Sequence, residues 1–425
     1  MGINSCGTTL IDNGTFKNIG AVTWDTTAKT TGFTAVAGNG YFCNTTSGAF
    51  TVTLPSSPTA GDTVGISDYA NTADTNNITI GRNGSNIQGV ANDFIINIEG
   101  ACVLLTYVDA TKGWLLIDAA RASDISAQAT YIVATGGTIT TCGDYKIHTF
   151  TSPGTFCVSS LGNPAGGPNN VYWQVVAGGG GGGGKGQEDV QGAGGGGAGG
   201  YRTNFPGPAP GGFPISASPY PISVGGGGAG GPNTPGPSGS PTREGSNGSN
   251  SVFACKTSTG GGGGGNSGGL PGFGGLPGGS GGGAGPTNGS GNTPPVSPPQ
   301  GNNGGTRGGT NRGGGGGGAS AVGTNGSPSS GGPGGAGSAN SITGSPITRA
   351  GGGGGGGYFT PGSPNAPGGA GGAGGGGAGA LDANATSGTA NTGGGGGGTG
   401  GPNTGTAYSG GSGGSGIVII RYKYQ

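Results

Sequence analysis

The residue that first suggests chemistry is Lys185, which follows the apolar stretch VYWQVVA and seven consecutive glycines at 178–184. A glycine loop ending in lysine outlines a phosphate cradle, G-x-x-x-x-G-K-[ST], whose hydroxyl would hold magnesium. Here Gly186 stands where that hydroxyl belongs. No helix follows either, because Gly186, Gly192 and 194–197 each cost about 1 kcal/mol against alanine in a helix. Nucleotide binding is therefore set aside. In a chain with 120 glycines, G-x-G-x-x-G matches arise by chance and carry no weight.

Other chemistry is sparse. Glu188 and Asp189 are adjacent carboxylates, but glycosidase action needs two carboxyls about 5–9.5 Å apart across a cleft, which sequence neighbours do not supply. His148 is the only histidine and lies in a strand-like run, which predicts a structural role. Of Cys6, Cys43, Cys102, Cys142, Cys157 and Cys255, none has C-x-x-C spacing, so no zinc site is expected. Cys43 and Cys102 read as buried thiols. The expectation is a non-enzyme without metal or cofactor. Binding chemistry is better represented. Tyr201, Arg202, Phe205, Phe213, Tyr220, Tyr358, Phe359 and Tyr408 fall between glycine runs, with Arg307, Arg312 and Arg349. Aromatic rings stack on sugar faces, cations meet anionic sugars, and loops on rigid scaffolds often carry function. The competing reading is that these rings only cap the ends of a glycine structure against water.

The elements that must position them divide the chain in two. Gly 120 and Pro 29 in 425 residues would ordinarily signal disorder, yet nearly all the glycine runs lie within 178–416. Residues 1–170 carry six Lys/Arg against eleven Asp/Glu, and residues 171–425 nine against four. The second part's mild positive balance suits an acidic polysaccharide but is too weak for a nucleic-acid groove. Short apolar runs at 41–46, 49–54, 63–69, 77–80, 93–98, 102–108 and 113–118 read as strands of a small antiparallel sandwich or barrel. Further strands are expected at 131–134, 145–151 and 155–159, and a weak helix at 119–130. The boundaries are an N-terminal arm at 1–39, a small antiparallel β domain at 40–118, a linker or stalk at 119–144, and a glycine-rich domain at 145–425. MGINSCG lacks the charged segment and apolar core of a secretory signal. No window of 18 apolar residues exists, so no membrane insertion is expected.

Three readings compete for the glycine half. A disordered linker does not account for the closing strand GIVIIRYKYQ (416–425), whose natural partner is VYWQVVA (171–177). Collagen needs glycine at every third position, a register kept only around 269–281. The third is a bundle of polyglycine helices, three residues per turn, rising about 3.1 Å per residue. A helix surrounded on all sides must then be glycine throughout, which suits 178–184, 260–265, 313–318, 351–357 and 393–398. A rim helix needs glycine only on its touching faces, as with Leu270, Phe273 and Leu276, Pro333 with Ala336, and Ala370 with Ala373. Ordering glycine costs roughly 1–2 kcal/mol per residue or more, while each hydrogen bond returns about 0.5–1.5 kcal/mol. Such a bundle needs a template, which the two strands can provide.

YKIHTFTSPGTFCVS, VYWQVVAGGGGGGG, GGYRTNF, PISVGGGG and GGSGIVIIRYKY, in that order, resemble the glycine-rich domain of bacteriophage tail-fibre and related virion proteins over about 145–425. Residues 40–118 resemble, more loosely, a domain of marine phage structural proteins. The resemblance implies an all-β N-terminal domain followed by a β-flanked polyglycine II bundle with long loops. It also implies a host-surface adhesin in the virion, acting as a homotrimer. Such a protein would attach to other virion proteins through its N-terminal region and bind a cell-envelope glycan or outer-membrane protein. The candidate contacts are Tyr201, Arg202, Phe205, Tyr220, Tyr358, Phe359 and Tyr408. The alternative is a purely structural fibre, head-decoration or filament subunit.

Overall fold

The computed structural model describes residues 3–5, 8–12, 15–16, 22–119, 129–187, 191–206, 212–233, 243–268, 274–283, 287–307, 311–359, 365–402 and 406–425. The expected helix falls almost wholly on 120–128, outside the described residues, as do Leu270 and Phe273. Among the described residues the chain is all-β, with a 3-10 turn at Pro164–Gly166, several open sheets and no closed barrel. It separates into two compact units, Met1–Ala129 and Thr130–Gln425.

The first unit begins with a three-stranded antiparallel sheet of β1 (Ile3–Ser5), β2 (Thr8–Asp12) and β3 (Thr15–Phe16). Then follow β4 (Thr23–Lys29), β5 (Phe33–Thr34), β6 (Asn39–Cys43), β7 (Phe50–Thr53), β8 (Thr63–Asp68) and β9 (Ile78–Gly81). Last come β10 (Phe94–Ile96), β11 (Cys102–Asp109) and β12 (Gly113–Ala119). One sheet has the order β12-β11-β8-β6-β4 and the other β10-β9-β7-β5. The pairing corrects the antiparallel expectation: β4–β6, β6–β8, β5–β7 and β7–β9 are all parallel. From β4 to β9 the chain alternates between the sheets, so each crossover joining parallel neighbours is a strand of the opposite sheet. Parallel strands need a crossover, and a coil through two sheets supplies it without a helix. Apolar spacing cannot distinguish this coil from a meander, because both bury alternate residues. Tyr41, Val64, Ile66, Val103, Leu105 and Trp114 from one sheet meet Val52, Ile78, Ile80 and Ile96 from the other in one buried core.

The second unit opens with β13 (Val133–Thr135), β14 (Thr138–Cys142), β15 (Tyr145–Phe150), β16 (Gly154–Ser160) and β17 (Asn170–Val176). It continues through β18 (Tyr201–Thr203), β19 (Phe213–Pro214), β20 (Pro219–Ser223), β21 (Ser251–Phe253) and β22 (Lys256–Ser258). The short pairs β23 (Ser338–Asn340) with β24 (Ile347–Arg349), and β25 (Ala380–Leu381) with β26 (Thr399–Gly400), precede the closing β27 (Ile417–Lys423). The expected partnership of the two flanking strands holds: β17 and β27 pair antiparallel, Tyr172 with Arg421 through Val176 with Ile417. They sit inside a six-stranded sheet, β14-β15-β27-β17-β18, with β19 also on β17. One face packs Trp173, Val175, Val418, Ile420 and Tyr422 against Phe156 and Phe253 of the sheet β13-β16-β20-β21-β22. The other buries Ile147, Val176, Ile417 and Ile419 with Ala198, Ile342 and Ala350. Burial on both faces is why IVII runs without polar alternation.

From these strands the glycine segments run on side by side, and in 178–184 every amide is committed to a neighbouring segment. The N–H groups of Gly178, Gly179 and Gly180 donate to Ser249, Gly414 and Gly197, and those of Gly181, Gly182 and Gly183 to Ser246, Gly411 and Gly194. The same three neighbours recur every third residue, running antiparallel. The carbonyls of 178–183 accept in turn from Gly261, Gly228, Gly396, Gly264, Gly231 and Thr399, which belong to three parallel neighbours. Segment 178–184 thus has six hydrogen-bonded neighbours. All five uninterrupted glycine runs are wholly buried. At the rim burial follows a three-residue rhythm: Ala366, Gly369 and Gly372 are buried while Pro367, Ala370 and Ala373 are exposed. Segment 192–200 corrects the expectation of strict glycine. It too exchanges hydrogen bonds with six neighbours, yet it contains fully buried Ala193 and Ala198. Both alanines lie near the segment's ends, and Ala198 joins the apolar cluster under the sheet, where side chains replace backbone as neighbours.

Glycine identity follows from contact. A Cβ on Gly181 would lie 2.0 Å from the Ala229 carbonyl oxygen, whereas one on Gly226 would meet nothing within 4 Å. Gly181→Ala should therefore lower unfolding free energy by about 1–3 kcal/mol or more. Gly226→Ala should leave it unchanged or raise it by up to about 1 kcal/mol. Denaturant unfolding of the two variants checks this pair.

Candidate functional site

The glycine lattice has two ends. At one, the segments join the sheets: β17 leads into 178–184, 192–200 leads into β18, and β27 leaves the last segment. Thr130, where the unit begins, is at this end, its carbonyl accepting from Asn163 beside the 3-10 turn. Lys185, Gln191, Arg243, Arg307, Arg312, Tyr358 and Tyr408 are at the far end, at the opposite termini of the same segments.

Lys185 is fully buried. Its Nζ donates to the carbonyls of Gly186 (2.9 Å) and Thr406 (2.8 Å), and its backbone pairs with Tyr408. The amides of 178–184 that a phosphate would need are all given to neighbouring segments. Gly186 leaves the room that the Arg243 guanidinium fills, since a Cβ there would fall 2.1 Å from its nitrogen. The lysine and the glycine after it are thus lattice-end fittings.

The seven candidate contact residues do not form one site. Tyr201, Arg202, Phe205 and Tyr220 lie at the sheet end, and Tyr358, Phe359 and Tyr408 at the far end. Tyr201 and Arg202 are on β18 and Tyr220 on β20, in strands where loops were expected. Phe205 is held edge-on by Tyr172 at 5.4 Å and covered by Arg421 at 5.2 Å. Tyr220 packs on Phe156 and Phe253, and its hydroxyl accepts from the Ser216 amide. These two rings serve packing. At the far end the Arg312 guanidinium lies 5.1 Å from the Tyr358 ring centre, and the Lys185 ammonium 5.9 Å from that of Tyr408. Such cation–ring pairs contribute about 0.5–2 kcal/mol. A hydrogen bond to Asp382, with burial adding, holds the Tyr408 phenol above its ordinary value. Glu188 and Asp189 lie outside the described residues.

Residues 151–423 match the family model of a glycine-rich domain. The chain belongs to the glycine-rich domain family. No curated protein matches it. Within this glycine-rich domain two of the four candidate arginines, Arg202, Arg307, Arg312 and Arg349, are internal. Arg349 is buried and donates to the Gln174 side chain at 3.1 Å, which in turn donates to the Tyr201 hydroxyl at 2.7 Å. Burial holds the Arg349 pKa below its usual value. Arg307 is also buried, bonded to Gln191 and to the Gly192 carbonyl. Arg202 and Arg312 reach the surface. At the seam where edge strands β18 and β22 meet, Trp173, Tyr201, Arg202, Thr203, Asn204, Lys256 and residues 297–299 line an open cleft of about 410 Å³. The sequence named Tyr201 and Arg202 but not Lys256, Trp173 or the Ser297-Pro298-Pro299 wall. Nothing local signals that residues so far apart in the chain converge.

Asparagines are the other missed feature. The side-chain oxygens of Asn250 and Asn247 accept from the amides of Gly260 and Gly263, both spaced by three. Asn303, Asn325 and Asn384 do the same for Gly291, Thr306 and Ser409. Where the lattice lacks a neighbouring backbone, an amide side chain stands in for it. The recurrence of Asn beside glycine runs was the available signal.

His148 is structural, as predicted. It is fully buried on β15, with Nδ1 2.7 Å from the Gly136 carbonyl and Nε2 3.1 Å from the Tyr422 hydroxyl. The carbonyl can only accept, so Nδ1 carries the proton and Nε2 accepts from tyrosine. Burial pushes the imidazole pKa below its ordinary value of about 6.5, with Lys146 contributing, against the raising effect of the Gly136 carbonyl. The same burial pushes the Tyr422 phenol up to about 12. A folded pKa below the unfolded one means the unfolded chain protonates first. Stability should thus be full above about pH 6.5 and fall as pH drops through it, levelling once the folded imidazole also protonates. The limiting slope is about 1.4 kcal/mol per pH unit. His148→Gln should flatten that pH dependence, as read by unfolding at pH 7 and pH 5.

Proposed function

We propose that the chain is a virion fibre protein of phage type whose glycine-rich domain is a polyglycine II bundle presenting an adhesive surface to the host cell. The observation that carries this reading is the far end of the lattice. Tyr358, Phe359 and Tyr408 stand there, with Tyr358 beside Arg312, next to segments whose backbone is hydrogen-bonded one to another. It lies opposite the end where residue 130 enters, so contact made there is clear of the chain's point of entry. Loops on rigid scaffolds lose little entropy on binding. Aromatic faces beside cations suit a cell-envelope glycan or an outer-membrane protein. The order of flanking strands and glycine runs supports the phage assignment. Assembly as a homotrimer, with the N-terminal unit engaging other virion proteins, belongs to the same reading.

The test is binding of the labelled full chain to a panel of bacterial strains. Replacing Tyr358, Phe359 and Tyr408 by alanine should weaken binding to a recognised strain at least tenfold, about 1.4 kcal/mol, with the chain still unfolding cooperatively and losing no more stability than the two cation–ring pairs supply. Binding untouched by those changes would remove the far end as the adhesive surface. A chain that adheres to no strain but assembles into rods or coats particles would establish the structural-subunit reading instead.

A further inference from the structure

The cleft at the sheet end is separate from the proposed adhesive surface and does not depend on it. It lies between β18 and β22, edge strands of the two larger sheets of the second unit, and residues 297–299 form its other wall. Its charge is one-sided. Arg202 and Lys256 both line it, and no acidic residue is among its described lining. One of the five N–H donors of Arg202 is given to the Thr257 carbonyl at 2.9 Å, which fixes the guanidinium on the β22 side. The Lys256 ammonium lies 5.7 Å from the Phe213 ring centre.

The wall opposite is held in place before any ligand arrives. Asn292 accepts from the amides of Val296 and Gln300. Gln300, 1% exposed, accepts from the Thr259 amide at 2.8 Å and donates to the carbonyl of Pro294 and the hydroxyl of Thr259. The segment carrying Pro298 and Pro299 is thereby tied to Thr259, which directly follows β22. On the floor, Asn204 is consumed in scaffolding: its oxygen accepts from the Trp173 amide and its nitrogen donates to the Val171 carbonyl. Thr203 likewise donates to the Trp173 carbonyl. With Asn204 and Thr203 so engaged, the cleft lining leaves two cations and Ser297 beside Tyr201, Trp173, Pro298 and Pro299.

We infer that this cleft binds a carboxylate-bearing sugar unit, with Arg202 and Lys256 holding the carboxylate and the proline wall lying against the sugar's C–H face. The volume falls within the range of about 300–1,000 Å³ usual for small-ligand sites. Arginine binds a carboxylate through parallel N–H donors. An extended peptide is a poorer fit, because the outer edge of β18 is already occupied: the Tyr201 amide donates to the Gln300 carbonyl at 2.8 Å. That leaves little strand edge for a peptide to extend.

Calorimetric titration of the full chain with trigalacturonate, its fully methyl-esterified form, and an acidic tripeptide tests the inference. Trigalacturonate should bind in the millimolar range or tighter, with the ester and the peptide at least tenfold weaker. Arg202→Gln and Lys256→Gln should each weaken the acidic sugar about tenfold, and Arg202→Lys less, with melting transitions as in the parent chain. The far-end triple alanine variant should bind it unchanged, which separates this site from the adhesive surface. Absence of trigalacturonate binding at millimolar concentration overturns the inference. So does equal binding of the ester, equal binding of the peptide, or affinity insensitive to both glutamine substitutions.

Discussion

The amide of Gly180 donates to Gly197, that of Gly181 to Ser246 and that of Gly182 to Gly411, three residues in three directions. A buried backbone donor left without an acceptor costs about 1–3 kcal/mol. A segment surrounded on six sides must therefore meet a different neighbour at each step, and must return to the first after three. That condition leaves no space for side chains. The positions that Cβ atoms would take along 178–183 are filled, at 2.0–2.2 Å, by carbonyl oxygens of Gly226, Gly394, Gly262, Ala229, Gly397 and Gly265. Glycine here answers to close approach, and backbone handedness has no part in it.

A block made this way buries almost no apolar surface, so its cohesion comes from hydrogen bonds and from what it is attached to. The attachment is concentrated at one end. There the six-stranded sheet is apolar on both faces, packed against a second sheet on one side and against Ala198, Ile342 and Ala350 on the other. Trp173 and Val175 face one way and Val176 the other, immediately before the first glycine run. The strands set the spacing and direction with which 178–184 departs and 410–416 returns. Asparagine side chains complete the rim where backbone neighbours run out.

The two ends consequently have different chemistry. The far end places aromatic rings and cations next to pinned segments, with Lys185 drawn inward to satisfy carbonyls. The sheet end places its cations at a seam between strand edges, where a volume opens because two sheets stop and a proline segment crosses. A residue's meaning thus depends on which end of its segment it occupies. Arg349 and Arg202 are both arginines beside glycine runs, yet one is buried against Gln174 and the other lines a cleft.

Much of the second unit was legible because its rule is local. Uninterrupted glycine marks a fully surrounded segment, a three-residue offset such as Ala370 with Ala373 marks a rim, and the two β-branched stretches at 171–177 and 417–424 mark the closing pair. His148 was legible as structural from its place in a strand. What the sequence left open was set by long-range contact. Ala193 and Ala198 are tolerated in a surrounded segment only because of what lies over its ends. The parallel coiling of the first unit depends on which sheet each short turn feeds, and alternation of apolar residues is the same in either case. The division of the candidate aromatics between two ends depends on the direction of each segment, and the joining of Arg202 with Lys256 and Pro298 on three chain crossings coming together. Side-chain size and backbone approach are local properties and can be read along the chain. Adjacency between distant segments is settled only when all of them close on one another.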